Sequence, residues 1–295
     1  AFNTMRWPLG HGDQFPWGWT SYPVGYISNH NLSLWNGDPA SSDLPVGTSD
    51  KTWIDYDCQR CLDSRWFRRG LAHLVDRASQ VAYMAGAGVA LDPSLFWPAL
   101  KGWEHPNVTE TYDVPSGYIT KYTYDLLKAK DCFERGGFKD WDKDGTMEYS
   151  PSHGAVQDWE ELPKLHFYTR IDDDHRTHLG RLISDDMTLL GIPHFLDIAP
   201  YGVICTQVWA NYEYDIYVEY RDWSLTPDFY AEWFHSRMDI YPLPWGENEQ
   251  RYHSKEFDYW ADLFTTSSSA EEAKPYCYKM QEIIHRDIPA IPVYC

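Results

Sequence analysis

An acidic loop in the middle of the chain carries the residue types best suited to hold a metal ion. It reads Asp140-Trp-Asp-Lys-Asp-Gly-Thr-Met-Glu148. Carboxylates stand at loop positions 1, 3 and 5, glycine at 6, a backbone carbonyl at 7 and a glutamate at 9, which is the order of an EF-hand calcium loop. Calcium prefers roughly six to eight oxygen ligands. We therefore expect a structural Ca²⁺ ion with these ligands: Asp140, Asp142, Asp144, Thr146 and Glu148.

The twelfth position of this loop differs from that of an EF-hand. It is Pro151, where an EF-hand has a bidentate glutamate, so a complete EF-hand is excluded. The alternative is an acidic turn that binds no metal. No cofactor other than this ion is expected.

A second chemically rich segment is Tyr220-Arg-Asp-Trp-Ser-Leu-Thr-Pro-Asp228, which follows a predicted strand. It combines a flat apolar ring with charged and hydroxyl groups, a set that suits ligand capture and supplies no activated nucleophile. The expected ligand-binding residues are Arg221, Trp223, Ser224, Thr226 and Asp228. The alternative is that Trp223 packs a strand end and Asp228 caps a helix.

Other motifs do not indicate an enzyme. The acids of Asp172-Asp-Asp-His-Arg-Thr-His178 are expected in the first turn of a helix, where they complement its dipole. The sequence contains no nucleophile elbow, phosphate-binding loop or dinucleotide fingerprint. We therefore predict that the chain binds and does not catalyse.

Composition limits the partners. Of 295 residues, 44 are acidic and 25 basic, giving a net charge of −19, which repels nucleic acid. Aromatic residues make up 17%, with 15 Trp and 22 Tyr, and favour either a ring-lined cleft or extensive core and interface packing. No apolar run reaches the roughly 18–20 residues that span a bilayer.

Cysteines and sequons fit a secreted protein. The six cysteines permit up to three disulfides, with free thiols or metal binding by Cys58 and Cys61 as alternatives. The sequons Asn31-Leu-Ser33 and Asn107-Val-Thr109 predict a glycoprotein. The chain begins at Ala1 without methionine, so we expect a removed leader or a partial chain.

Hydrophobic periodicity predicts alternating helices and strands, which favours an α/β fold. The predicted helices span 62–84, 125–136, 174–190, 203–211, 254–263 and 270–286. The first should turn its arginines away from the core. Strands are predicted at 23–27, 31–35, 164–169, 194–198, 215–219 and 291–294.

Five stretches, in order, resemble extracellular solute-binding protein family 5, the peptide, nickel and oligopeptide-type substrate-binding proteins of ABC importers. They are Arg65-Trp-Phe-Arg-Arg-Gly-Leu-Ala-His-Leu-Val-Asp76-Arg77; Tyr124 to Gly137 followed by Phe138-Lys-Asp-Trp-Asp-Lys-Asp-Gly145; Leu165 to Leu196; Tyr214-Asp-Ile-Tyr217 with Trp223-Ser-Leu-Thr-Pro-Asp228; and Ala273 to Tyr294. The match covers residues 23–294.

This resemblance implies a periplasmic-binding-protein-like α/β fold of type II, cluster C. The chain corresponds to the second lobe with the returning C-terminal segment of the first lobe. Residues 1–50 are then a loop-rich segment with crossover strands from the first lobe, 51–263 the second-lobe domain, and 264–295 the helix and strand that return. Because the family's members are considerably longer, we expect most of the first lobe to be missing here.

The resemblance also implies an extracytoplasmic protein, periplasmic or at the cell surface or secreted. It would bind a peptide or similar medium-sized solute and deliver it to an ABC permease in the membrane. In the family's peptide binders, an aspartate three residues after the matching tryptophan pairs with the ligand's α-amine; here that position is Thr226, which cannot form the ion pair. The alternative is a surface scaffold or complex subunit that reuses the fold and associates with other surface chains.

Overall fold

The computed structural model describes residues 59–84, 88–91, 100, 102–221, 226–239 and 246–295. The predicted segment 1–50, with its two strands and the sequon at Asn31, lies outside these residues. Cys58 and the side chain of Cys61 lie outside them as well.

Helices and short strands alternate through the described chain. The helices are α1 Gln59–Ala72, α2 Arg77–Tyr83, α3 Leu126–Arg135, α4 Asp174–Leu189, α5 Tyr201–Ile204, α6 Asp228–Phe234, α7 Lys255–Thr266 and α8 Ala270–Asp287. The strands are β1 Val108–Thr109, β2 Ile119–Thr120, β3 Phe138–Lys139, β4 Glu148–Tyr149, β5 Glu160–Glu161, β6 Leu165–Arg170, β7 His194–Ala199 and β8 Ile216–Tyr217. A π-helical turn, Cys205–Ala210, extends α5.

The central sheet is parallel, in the order β7-β6-β8. β6 pairs with β7 from Leu165↔His194 to Arg170↔Ala199, and α4 forms the crossover between them. β6 also pairs with β8 at Phe167↔Ile216. This β-α-β unit confirms the predicted α/β class.

Side-chain caps fix the starts of α3 and α4, two helices that the sequence predicted correctly. Asp125 accepts from the amides of Leu127 and Lys128 at the start of α3, and Asp173 accepts from Arg176 N at the start of α4. A capping carboxylate satisfies amides that have no partner within the helix. The interpretation of 172–174 as acids at a helix start is therefore confirmed.

The single helix predicted over 62–84 is wrong. The chain turns after Ala72, and Asp76 starts α2 by accepting from Ser79 N at 3.0 Å. The solvent-facing placement of the arginines is wrong as well, because Arg68, Arg69 and Arg77 are all buried. The apolar periodicity continues through this break and therefore hides it. The capping residue at the start of the second helix is the local polar signal that marks the break.

A three-stranded antiparallel sheet, β3-β4-β5, follows α3. Gly136 ends the helix and Gly137 adopts φ +79, a conformation that a residue with a side chain rarely takes. A Cβ at Gly137 would also collide with the Ser150 carbonyl. The predicted glycine cap is confirmed, and it turns the chain directly into β3.

Two large apolar clusters form most of the core of the described residues, and a smaller third one lies around Ile204, Val208 and Tyr214. The first lies among α1, α3, α4 and the central sheet and includes Phe67, Phe133, Phe138, Phe167 and Leu179. The second lies among α6, α7 and α8 and includes Tyr230, Phe234, Phe257, Met280 and Ile284.

A buried carboxylate joins the elements of these two clusters. Asp287, at the end of α8, is 1% exposed, and its carboxylate lies 3.3 Å from Arg65 Nε of α1 and 2.9 Å from Arg286 Nε. Tyr252 Oη donates to it at 2.7 Å, and Arg68 Nε donates to its backbone carbonyl at 2.7 Å. Burial by itself would raise the pKa of Asp287. The two arginines lower it by a larger amount, so the pKa lies well below its usual value.

The C-terminal segment contacts residues 89–91. The predicted strand 291–294 is reduced to one antiparallel bridge, Ala90↔Tyr294, with further backbone bonds between Val89 and Cys295. Arg77 Nε holds the segment by donating to Pro292 O at 2.9 Å.

Four of the six cysteines, Cys132, Cys205, Cys277 and Cys295, are free thiols, so the expectation of up to three disulfides is wrong for them. Asn107 of the second sequon is exposed, and its side-chain amide donates to Gly117 O. Within the described residues, no helix has the length and hydrophobicity to cross a membrane.

Replacing Asp287 by alanine should lower the free energy of unfolding by roughly 3–5 kcal/mol, because it leaves buried arginine charge without its partner. Urea unfolding followed by circular dichroism measures the change. Asp185→Ala, an exposed acid on α4, is the control and should change stability by less than about 0.5 kcal/mol. Equal losses in the two variants would contradict the linking role of Asp287.

Candidate functional site

The main cavity lies at the carboxyl ends of β6 and β8 and has a volume of about 350 Å³. Ligand sites of open α/β sheets occur at this edge. Its apolar wall includes Leu71, Phe167, Leu179, Ile183, Val218 and Val293. Helix α1, the crossover helix α4 and the C-terminal segment therefore all contribute to one wall.

Charged groups and a tyrosine also line the cavity, in the segments that follow the two strands. Asp173 and Arg176 follow β6 and form an ion pair of 2.7 Å. Although burial raises the pKa of Asp173, the Arg176 amide and guanidinium lower it below its usual value. Tyr220 follows β8, is 62% exposed, and its ring centre lies 5.5 Å from the Arg176 guanidinium carbon. Its open ring face can pack against a ligand.

Arg221 lines the cavity with a guanidinium that three carboxyl groups surround. It forms ion pairs with Glu219, with Glu247 at 2.8 Å and with Glu249 at 2.7 Å. It also donates to the Glu247 carbonyl at 2.7 Å, and its side chain is 16% exposed. These partners occupy most of its donors, so the arginine positions the acids and is a poor anchor for an anionic ligand.

Glu249 is the buried member of this group, with a side chain 2% exposed. Trp209 Nε1 donates to its Oε2 at 2.7 Å. Burial, followed by the nearby Glu219 carboxyl, raises the pKa of Glu249 well above its usual value despite Arg221. With Glu249 protonated, the charged groups at and beside the cavity are the carboxylates of Asp173, Glu219 and Glu247 and the guanidiniums of Arg176 and Arg221. This small surplus of acid favours a cationic ligand group.

Of the five predicted ligand-binding residues, the structure describes Arg221, Thr226 and Asp228. Arg221 lines the cavity, whereas Thr226 and Asp228 are exposed and do not line it. Thr226 Oγ1 donates to Asp228 Oδ2 at 2.5 Å, and Asp228 is the first residue of α6. Trp223 and Ser224 lie outside the described residues. A direct ligand contact by any of the five remains a prediction.

The sequence reasoning did not select the cavity residues Asp173, Arg176, Glu219 and Tyr220. The signal that identifies them is topological: each follows a parallel strand of the same sheet, and such segments meet at one edge. Asp173 had been interpreted only as a helix-capping acid.

The acidic loop lies on a different sheet, between β3 and β4. Asp140, Asp142, Asp144 and Glu148 each offer an oxygen, and these oxygens lie within 4.8 Å of one another. Thr146 contributes its amide to Asp144 Oδ1 at 2.7 Å. None of the five lines the main cavity.

Solved structures share this fold. A periplasmic oligopeptide-binding protein of an ABC transporter from Thermotoga maritima, bound to mannohexaose, matches with a TM-score of 0.65 and 21% identity over 79% of this chain and 41% of that one. NikZ from Campylobacter jejuni in complex with Ni(L-His) matches with a TM-score of 0.62, 21% identity and coverages of 78% and 41%. The oligopeptide-binding protein AppA from Bacillus subtilis, in complex with a nonapeptide, matches with a TM-score of 0.61, 21% identity and the same coverages.

The chain has the fold of these ABC-transporter binding proteins. This confirms the predicted periplasmic-binding-protein-like fold, and the resemblance to family 5 is confirmed at the level of the fold. The chain spans 41% of the length of these three structures, which agrees with the expectation of one portion of a longer protein. The Thermotoga and Bacillus proteins are oligopeptide-binding proteins. No family model and no curated protein matches the chain.

Replacing Glu249 by glutamine should remove a loss of stability that the unchanged chain shows as pH rises. Since the folded chain keeps a proton on Glu249 that the unfolded chain releases, the free energy of unfolding falls as pH rises from the usual glutamate pKa towards the raised one. The largest slope that one group gives is about 1.4 kcal/mol per pH unit. Glutamine resembles the protonated side chain, so the variant should gain stability relative to the unchanged chain as pH rises above the usual glutamate pKa.

Urea unfolding across this pH range measures the difference. Glu247→Gln is the matched control, because Glu247 pairs with the same arginine but its side chain is 54% exposed. A stability difference between Glu249→Gln and the unchanged chain that stays constant with pH would show that Glu249 does not hold the proton.

Proposed function

We propose that this protein is the solute-binding component of an ABC import system and takes a peptide or similar medium-sized solute. The observation that carries the proposal is the cavity at the carboxyl ends of β6 and β8, which both apolar and charged side chains line. Its volume of about 350 Å³ lies within the range of roughly 300–1,000 Å³ that ligand pockets occupy.

The lining suggests the chemistry of the ligand. The apolar wall suits a hydrocarbon or aromatic body, and the exposed ring of Tyr220 can cover it from one side. The surplus of acids around Arg221 suits a positively charged group. A peptide with an apolar side chain and a free amine has both features. In this proposal the acids near Arg221 take the place of the aspartate that Thr226 replaces.

Proteins with this fold bind ligands of several chemical classes. The Bacillus protein holds a nonapeptide, the Thermotoga protein mannohexaose and the Campylobacter protein a nickel–histidine complex. Capture by this fold therefore extends from peptides to sugars and metal chelates, and the lining of this chain favours the peptide.

The remaining parts of the function follow from the same proposal. The protein acts outside the cytoplasm, binds its solute without changing it chemically, and passes it to a membrane permease. A second lobe, contributed by further chain, would close over the cavity by a hinge motion.

A panel of solutes tests the proposal through the thermal unfolding midpoint. A ligand that binds only the folded chain at about 100 times its Kd stabilises it by roughly 2.7 kcal/mol. The panel is a nonapeptide library with and without N-terminal acetylation, mannohexaose, and Ni(L-His). We expect free-amine peptides to raise the midpoint and acetylated ones to raise it less.

Tyr220→Ala should weaken peptide binding about tenfold, equal to about 1.4 kcal/mol, while leaving stability unchanged. Tyr118→Ala is the matched control, since Tyr118 is 45% exposed and does not line this cavity. No shift with any member of the panel, together with a defined oligomer in solution, would reject solute capture in favour of a surface scaffold.

A further inference from the structure

We propose that the loop between β3 and β4 binds one Ca²⁺ ion through the carboxylates of Asp140, Asp142, Asp144 and Glu148. This site is separate from the ligand cavity and independent of the proposed transport role. Its ion is structural: it holds the β3–β4 hairpin in place.

The spacing of the four carboxylates fits one coordination sphere. Their oxygens lie within 4.8 Å of one another. Calcium binds oxygen at about 2.3–2.6 Å, so two ligands on opposite sides of one ion are separated by roughly 5 Å. The four oxygens are therefore close enough to one another to share a single ion. Oxygen ligands alone, without histidine or cysteine, favour calcium over zinc.

One oxygen of Asp140 is buried without a hydrogen-bond donor in the part of the chain that the structure describes, as expected for an atom that binds a cation. Asp140 Oδ1 is inaccessible to solvent and accepts no hydrogen bond from the described residues, although Oδ2 accepts from Gly145 N at 3.1 Å. An ionised oxygen in this condition loses its solvation without compensation. A cation in the loop would supply the interaction that it lacks.

Glu148 adds a buried carboxylate to the same cluster. It is 2% exposed, and in the described part of the chain it forms no ion pair with a basic side chain; its one protein donor is the Trp141 amide at 2.7 Å. Buried carboxylates are usually paired with a cation or coordinate a metal.

The hairpin explains how the site forms without the glutamate at position 12. Lys139 of β3 and Glu148 of β4 are paired in register, so the strand pair returns Glu148 to the first ligand, Asp140. Between them, Lys143 and Gly145 take positive φ angles of 69° and 95°, which close the loop tightly. Glu148 at position 9 thus supplies the carboxylate that an EF-hand takes from position 12.

The bound ion would stabilise more than the loop. Met147 N donates to Gly191 O at 2.8 Å, and a Cβ at Gly191 would lie 2.5 Å from Gly145 O. The loop is thus closely packed against the corner between α4 and β7. Fixing it links the hairpin to the central sheet, so removal of the ion should lower the stability of the folded chain.

Calcium titration of the metal-stripped chain tests the site. Treatment with EDTA should lower the thermal midpoint, and CaCl₂ should restore it. Asp144→Asn should require about tenfold more Ca²⁺ or higher for the same recovery, because it loses one charged ligand. Glu161→Gln, an exposed acid on the adjacent strand β5, should respond like the unchanged chain.

Terbium luminescence locates the ion. Trp141 lies within the loop, so excitation of tryptophan should sensitise a bound Tb³⁺, and excess Ca²⁺ should quench that emission. Trp141→Phe should reduce the emission but keep the calcium-dependent rise in midpoint. Absence of any calcium response up to millimolar concentration, or an unchanged response in Asp144→Asn, would overturn the site. The solute panel is run with and without Ca²⁺, so that failure of one proposal is distinguished from failure of the other.

Discussion

The buried carboxylate of Asp287 is the interaction on which the arrangement of the described chain depends. Arg65 of α1 pairs with this carboxylate, Tyr252 donates its hydroxyl to it, and Arg68 of α1 donates to the backbone carbonyl of the same residue. These contacts hold the helices of the second cluster against α1 of the first. Helix α1 and the C-terminal segment after Asp287 both line the cavity. The contacts around Asp287 therefore fix two sides of the proposed ligand site.

The polar end of that site is built in a similar way, from charges that hold one another. Arg221 is surrounded by Glu219, Glu247 and Glu249, so its charge orders the acids and is not available to a ligand. Desolvation raises the pKa of Glu249, which favours its neutral form and so limits repulsion within the group. The remaining acidity, beside an apolar wall and the ring of Tyr220, is what favours a cationic, partly apolar solute.

Signals from neighbouring residues in the sequence predicted where several helices start and end. Asp125 and Asp173 cap their helices, and the glycine pair after α3 ends that helix, as their positions in the sequence indicated. The break between α1 and α2 was missed, because the apolar pattern runs through it while Asp76 starts a new helix. Buried arginines were also misplaced, since periodicity assigns charge to the surface and their partners lie far along the chain.

The sequence by itself determined the α/β class and the order of the acidic residues around Asp140. Both depend on short spacings, which a helix, strand or turn converts directly into shape. Only the tertiary structure brought Glu247 and Glu249 to Arg221, and the segments after β6 and β8 to one cavity. Those contacts join residues distant in sequence, and their energies come from burial and charge pairing that no local pattern records.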